Sequence, residues 1–170
     1  RSTLFPYTTL FRSRDLTWIM LKRPDSNSAM GGHSGILAKG FYKEVLNFIA
    51  SEEYAFADMW HYLHPEYKEM IRDRSAEEFT INLGGSSRFS TLTCRGIDGT
   101  WTGAVNVSDG GLLYVDDLVR DREHSLSPIR MENTYQEYLN KMVDRMNVGA
   151  KQLMIGTLWN IYDPLERLRQ

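Results

Sequence analysis

Gly111-Leu112-Leu113-Tyr114-Val115-Asp116-Asp117 sets four apolar residues directly before two adjacent carboxylates. A short apolar run opened by glycine suits a strand buried on both faces of a parallel sheet. In α/β sheets, ligands bind beyond the carboxyl ends of such strands. The stretch therefore predicts an α/β fold in which Asp116 and Asp117 stand where chemistry is done.

Working outward, two runs rich in β-formers precede this strand, residues 88–95 and 100–107, with Asp98-Gly99 between them. Asp-Gly between such runs predicts a β-hairpin-like insertion or two linked strands. After the strand, Ser127-Pro128 starts a helix, serine as cap and proline in the first turn. Met131, Tyr135, Tyr138, Met142 and Met146 follow at helical spacing, Gly149 closes the helix, and 152–157 reads as another buried strand. Strand, helix, strand predicts two neighbouring parallel strands. Asp163-Pro164 opens a last helix over 165–170.

Near the start, 16–21 (LTWIML) is apolar enough for a strand, Pro24-Asp25-Ser26-Asn27 is a turn, and Ala29-Met30-Gly31-Gly32 is a weaker strand. Ser34 caps a helix whose inner face carries Leu37, Phe41, Val45, Phe48 and Ile49. Residues 52–71 are aromatic and predict one or two short helices broken near Pro65. His61 and His64 share a helical face, but nothing nearby completes a metal site. Ser75 and Glu78 read as a capping box before a strand at 81–83.

The chain has 170 residues, 42% hydrophobic and 25% charged, with a formal net charge of -2, which fits one soluble globular domain or part of one. The slight acidity argues against a protein that coats nucleic acid. A single cysteine, Cys94, excludes an internal disulfide framework, and no stretch approaches the roughly 18 apolar residues of a membrane span. Residues 1–13 contain a near-repeat, Thr-Leu-Phe at 3–5 and 9–11, and look like an in-frame translation of a sequencing adapter. They are expected to be an assembly scar, leaving 14–170 as an internal fragment of a longer protein.

In P-loop nucleotide hydrolases the first acid of such a pair holds Mg²⁺, and the second orients or deprotonates the attacking water. On this reading 111–117 is a Walker B strand, and Thr157 at the next strand tip joins the two acids at one sheet edge. Polar residues there sense the γ-phosphate in the ASCE branch, which inserts a strand between those of Walker A and Walker B. No Walker A motif occurs in the chain.

The order LLYVDDLV, helix, then IGTLWNIYDPLERL resembles the ATPase domain of the terminase large subunit, the DNA-packaging motor protein of tailed bacteriophages. That family follows Walker B with a helix and a coupling motif similar to Gly-Thr-Arg-Trp. Here Gly156-Thr157-Leu158-Trp159 carries leucine for the arginine. GGHSGILAKGFYKEV resembles the segment after Walker A, and Cys94-Arg95-Gly96 the Arg-Gly element ahead of Walker B. The resemblance implies a partial P-loop NTPase sheet, ASCE or RecA-like, flanked by helices, with ATP and Mg²⁺ as cofactors. Asp116 would coordinate the metal, Asp117 would be the catalytic carboxylate usually filled by Glu, and Thr157 would couple hydrolysis to movement. Arg95 would be an arginine finger reaching a neighbouring subunit. Implied partners are double-stranded DNA, the portal protein, the small terminase subunit and further copies in a ring, in the cytoplasm of an infected bacterium. A phosphate-binding loop would lie upstream and a nuclease domain downstream, so the fragment alone should hydrolyse ATP very poorly.

Two other readings compete. Gly32-His33-Ser34-Gly35 approximates a nucleophile elbow, with Ser34 attacking and His124 or His33 as base, but Ile36 stands where the pattern needs glycine. Alternatively, the chain is a non-catalytic α/β interaction domain whose two acids merely cap the next element.

Overall fold

The computed structural model describes residues 7–50, 62, 73–75, 79–83 and 87–169. In chain order the elements are α1 (Tyr7–Lys22), β1 (Ser28–Gly32), α2 (Gly35–Ala50), β2 (Asp73–Ser75), β3 (Thr80–Asn82), β4 (Leu92–Gly96), β5 (Leu112–Asp116), α3 (Arg122–Ser125), α4 (Pro128–Glu137), β6 (Lys151–Ile155) and α5 (Pro164–Arg167). The strands form one six-stranded sheet in the order β2-β3-β4-β1-β5-β6. β4, β1, β5 and β6 run parallel, and β3 lies antiparallel between β2 and β4.

Every residue of β1 and β5 is buried, as two-sided coverage requires. Alternation along β5 divides the core. Leu112 and Tyr114 join Leu16, Met20, Phe41 and Val45 of α1 and α2, whereas Leu113 and Val115 join Trp101, Tyr138 and Met142 on the other face. Met142 lies so close to β1 that a Cβ on Gly31 would stand 2.7 Å from its terminal carbon, so only glycine leaves that packing undisturbed.

The predicted β1, α2 and β5 are present, and β6 is the parallel neighbour of β5. Four expectations need correction. Residues 16–21 are helical, within α1. Ser13, Leu16, Thr17 and Met20, three and four apart, are fully buried, and the Ser13 hydroxyl donates to Glu44 of α2. A six-residue apolar window fits helix or strand alike, and the flanking turns of helix decide.

The hairpin partner at 100–107 is absent. Asp98-Gly99 does turn, but both edges of β4 are taken by β3 and β1, leaving no ladder for another strand. The chain instead coils around buried Trp101, whose Nε1 donates to the Gly96 carbonyl at 2.9 Å and whose own carbonyl accepts from Ala104 and Val105.

The long helix is shorter than expected. α4 passes into a π turn at Tyr138–Met142 and a 3₁₀ turn at Val143–Arg145. Gly149 belongs to the turn before β6, at φ +88. Finally, among the described residues β6 is an edge strand, with Lys151, Gln152 and Leu153 exposed, not a buried one.

The expected helices over 52–71, His61 and His64 lie outside the described residues, as does Glu78 of the capping box. Among the described residues no helix is long and apolar enough to cross a membrane.

Candidate functional site

Parallel pairing fixes which groups meet at the sheet's carboxyl edge. Asp116 pairs with Gly32 of β1 and with Ile155 of β6, and is 2% exposed. By alternation it shares the α1–α2 face with Tyr114.

Asp117 leaves the strand at φ +43, in the left-handed region. That conformation costs a non-glycine residue about 1–2 kcal/mol and persists only where surroundings over-determine it. Three hydrogen bonds do so here. The Asp117 N–H donates to the Ile155 carbonyl at 3.0 Å. Its carbonyl accepts from His33 Nδ1 at 3.0 Å, and its Oδ1 accepts from the Thr157 N–H at 3.2 Å. A carbonyl oxygen only accepts, so the His33 proton sits on Nδ1.

Thr157 is thus brought to Asp117 because β6 ends beside β5 and the chain then crosses in front of it. Gly156 lies so close that an added Cβ would sit 3.4 Å from Asp117 Oδ1. Farther along the same loop is Asp163, 3% exposed. It caps α5 by accepting from the Leu165 N–H at 2.9 Å, and it also accepts from the Trp159 N–H at 3.3 Å. Burial pushes its carboxyl above the usual range; the negative charges of Asp117 and Glu166 act the same way, while the two backbone bonds oppose them. Asp163 was legible as a helix opener, but nothing in the letters placed it near Asp117. Asp117, Gly156, Thr157, Trp159 and Asp163 border a cleft of about 10 Å³, room for roughly one water.

The other sequence candidates lie apart. Arg95 is on β4 opposite Gly31, which is itself opposite Val115 of β5. Two strand spacings, about 10 Å, separate it laterally from β5. Its Nε is buried without a hydrogen-bond partner among the described residues. The Ser34 hydroxyl accepts from the Leu37 N–H at 3.4 Å, the expected cap of α2. His33 turns its Nδ1 to Asp117 instead, and His124 Nε2 lies 2.9 Å from Thr134 Oγ1. Among the described residues, no group of three or more His, Cys, Asp or Glu side chains is set to hold a metal ion.

No protein-family model matches this chain, and no curated protein is significantly similar to it.

Proposed function

We propose that this chain is the Walker B half of a P-loop ATPase of the ASCE branch, from a terminase large subunit that drives viral DNA packaging. The observation that carries the reading is the contact between Asp117 and Thr157 at the carboxyl edge of adjacent parallel strands. An acid pair and a hydroxyl-bearing residue at two neighbouring strand tips are what such an enzyme needs to handle a γ-phosphate and its attacking water.

The open side of β6 supports the same reading. β6 pairs only with β5 among the described residues, and its first three residues are exposed. A strand carrying a phosphate-binding loop and added to that edge would leave β6 between itself and β5, which is the ASCE order. The 10 Å³ cleft is too small for a nucleotide, so ATP would lie outside it, against the strand that brings the loop.

The donors at the site are oxygens, and Mg²⁺ takes one or two carboxylates with phosphate and water completing its shell. Asp116 would hold that ion, whose charge offsets that building on the β- and γ-phosphates. Asp117 orients the attacking water and accepts its proton. Thr157, tied to Asp117 through its N–H, passes the state of the γ-phosphate to the loop ending at α5. Arg95 would act on a neighbouring copy in a ring, with DNA, portal protein and small subunit as partners of the whole motor.

The test uses the natural reading frame including upstream sequence. It is expected to encode a G-x-x-x-x-G-K-[ST] loop and to yield a DNA-stimulated ATPase. Asp117→Asn in that protein should lower kcat by about 100-fold or more with KM little changed. An upstream frame without the loop, or equal rates in Asp117→Asn, overturns the assignment.

A further inference from the structure

A second cavity opens at the carboxyl edge of the sheet, on the opposite side of β5 from Thr157. Its volume is about 260 Å³, enough for a phosphate with part of its ester. The connection leaving β1 runs through α2 toward β4, whereas that leaving β5 runs through α3 and α4 to β6. Adjacent strands whose connections part in opposite directions leave a crevice between them, and open α/β sheets bind ligands there.

The walls are rich in donors. His33 comes from the end of β1, Arg120 and His124 from the segment after β5, and Arg130, Asn133 and Thr134 from α4. Ile97 and Leu118 are the apolar residues of the lining, and Glu137 is its one carboxylate. Glu137 already faces Lys141 at 3.3 Å, and the same ammonium donates to the Ile97 carbonyl at 2.8 Å.

Both guanidiniums are held but not used up. Asp121 takes Arg120 through Nε at 2.8 Å, which leaves its two terminal nitrogens for a ligand. Glu123 meets Arg130 at 3.5 Å with both side chains more than half exposed, a contact that solvent screens. His33 spends its Nδ1 proton on Asp117, and His124 Nε2 faces the Thr134 hydroxyl at 2.9 Å, so the guanidiniums and the Asn133 amide are the donors left for a ligand.

We propose that this crevice binds a phosphate group, with Arg120 and Arg130 as its principal anchors. Two guanidinium forks and the Asn133 amide supply more donors than the two oxygens of a carboxylate can accept, and suit the three or four oxygens of a phosphate. The inference does not rest on ATP hydrolysis at Asp117, since the anchors Arg120 and Arg130 line the crevice and not the cleft between Asp117 and Thr157.

The 170-residue chain, labelled with ¹⁵N, is titrated with inorganic phosphate in chelator, against sodium chloride at matched ionic strength. Saturable shifts are expected at the His33 and His124 rings and the Arg120 and Arg130 Nε–H signals. Arg120→Gln and Arg130→Gln should each weaken binding about tenfold, with circular dichroism reporting that the variants fold. Arg122→Gln, on α3 outside the crevice, should leave affinity unchanged. AMP and a short single-stranded oligodeoxynucleotide then distinguish a free nucleotide from a nucleic-acid backbone as the source; tighter binding of either supports the site. Shifts that chloride reproduces, no saturation, or full affinity in both Arg120→Gln and Arg130→Gln overturn it.

Discussion

The Thr157 N–H donates to the Asp117 carboxylate at 3.2 Å, although 40 residues separate the two. The bond joins the tips of β5 and β6 and helps to hold Asp117 in a left-handed conformation that its side chain disfavours. Geometry of this kind persists only where the surroundings over-determine it, as the three hydrogen bonds to Asp117 do here.

The strain gives a first expectation. Asp117→Gly and Asp117→Ala both delete the carboxylate, but only glycine accepts φ +43 without steric cost. Asp117→Gly should therefore be more stable than Asp117→Ala by about 1 kcal/mol in urea denaturation. Equal stabilities would mean that residue 117 is not left-handed.

A second expectation contrasts two glycines. A Cβ at Gly96 would stand 2.4 Å from Gly35 N and Ser34 C, both backbone atoms, whereas one at Gly40 meets nothing within 4 Å. Gly96→Ala should cost about 3 kcal/mol or more, since β4 and the start of α2 must part. Gly40→Ala, within α2, should stabilise by about 0.5–1 kcal/mol. Chemical denaturation of both variants checks the pair.

Asp163 provides a pH dependence. Its carboxyl is raised in the folded chain, first by burial and then by the charges of Asp117 and Glu166. The native state thus holds this proton more tightly than the unfolded chain. Its contribution to stability is full below the unfolded carboxylate pKa and is lost as pH rises through the higher native value. A ¹³C titration of Asp163 should have its midpoint above the ordinary carboxylate range, and Asp117→Asn should lower it. An unchanged midpoint would show that the two carboxylates do not feel each other.

Cys94 is fully buried on β4, and burial pushes its thiol far above the usual range. It should resist a disulfide reagent such as Ellman's at pH 8 in the native chain and react at the rate of a free thiol in denaturant, because only the thiolate attacks. Prompt native-state labelling would place β4 at the surface.

Much of the fold was legible because local chemistry and burial agreed. Ser127-Pro128 gave the start of α4, and the Ser127 hydroxyl accepts from the Arg130 N–H. The apolar spacing of Phe41, Val45, Phe48 and Ile49 gave the buried face of α2. Legibility failed where the decision was not local. Residues 100–107 have strand chemistry, but β4 had no free edge to offer them. The stretch from 152 to 157 is apolar enough for burial, yet β6 has a neighbour on one side only among the described residues.

The sequence by itself determined that two carboxylates end a buried strand and that a helix carries the chain to a parallel neighbour, because apolar period and capping chemistry act over a few residues. Only the tertiary structure decided that Asp163 folds back near Asp117, that His33 holds the Asp117 carbonyl, and that Arg95 lies two strands away. Those relations depend on strand order and loop path, which are fixed by burying both sheet faces at once, a condition no single segment expresses.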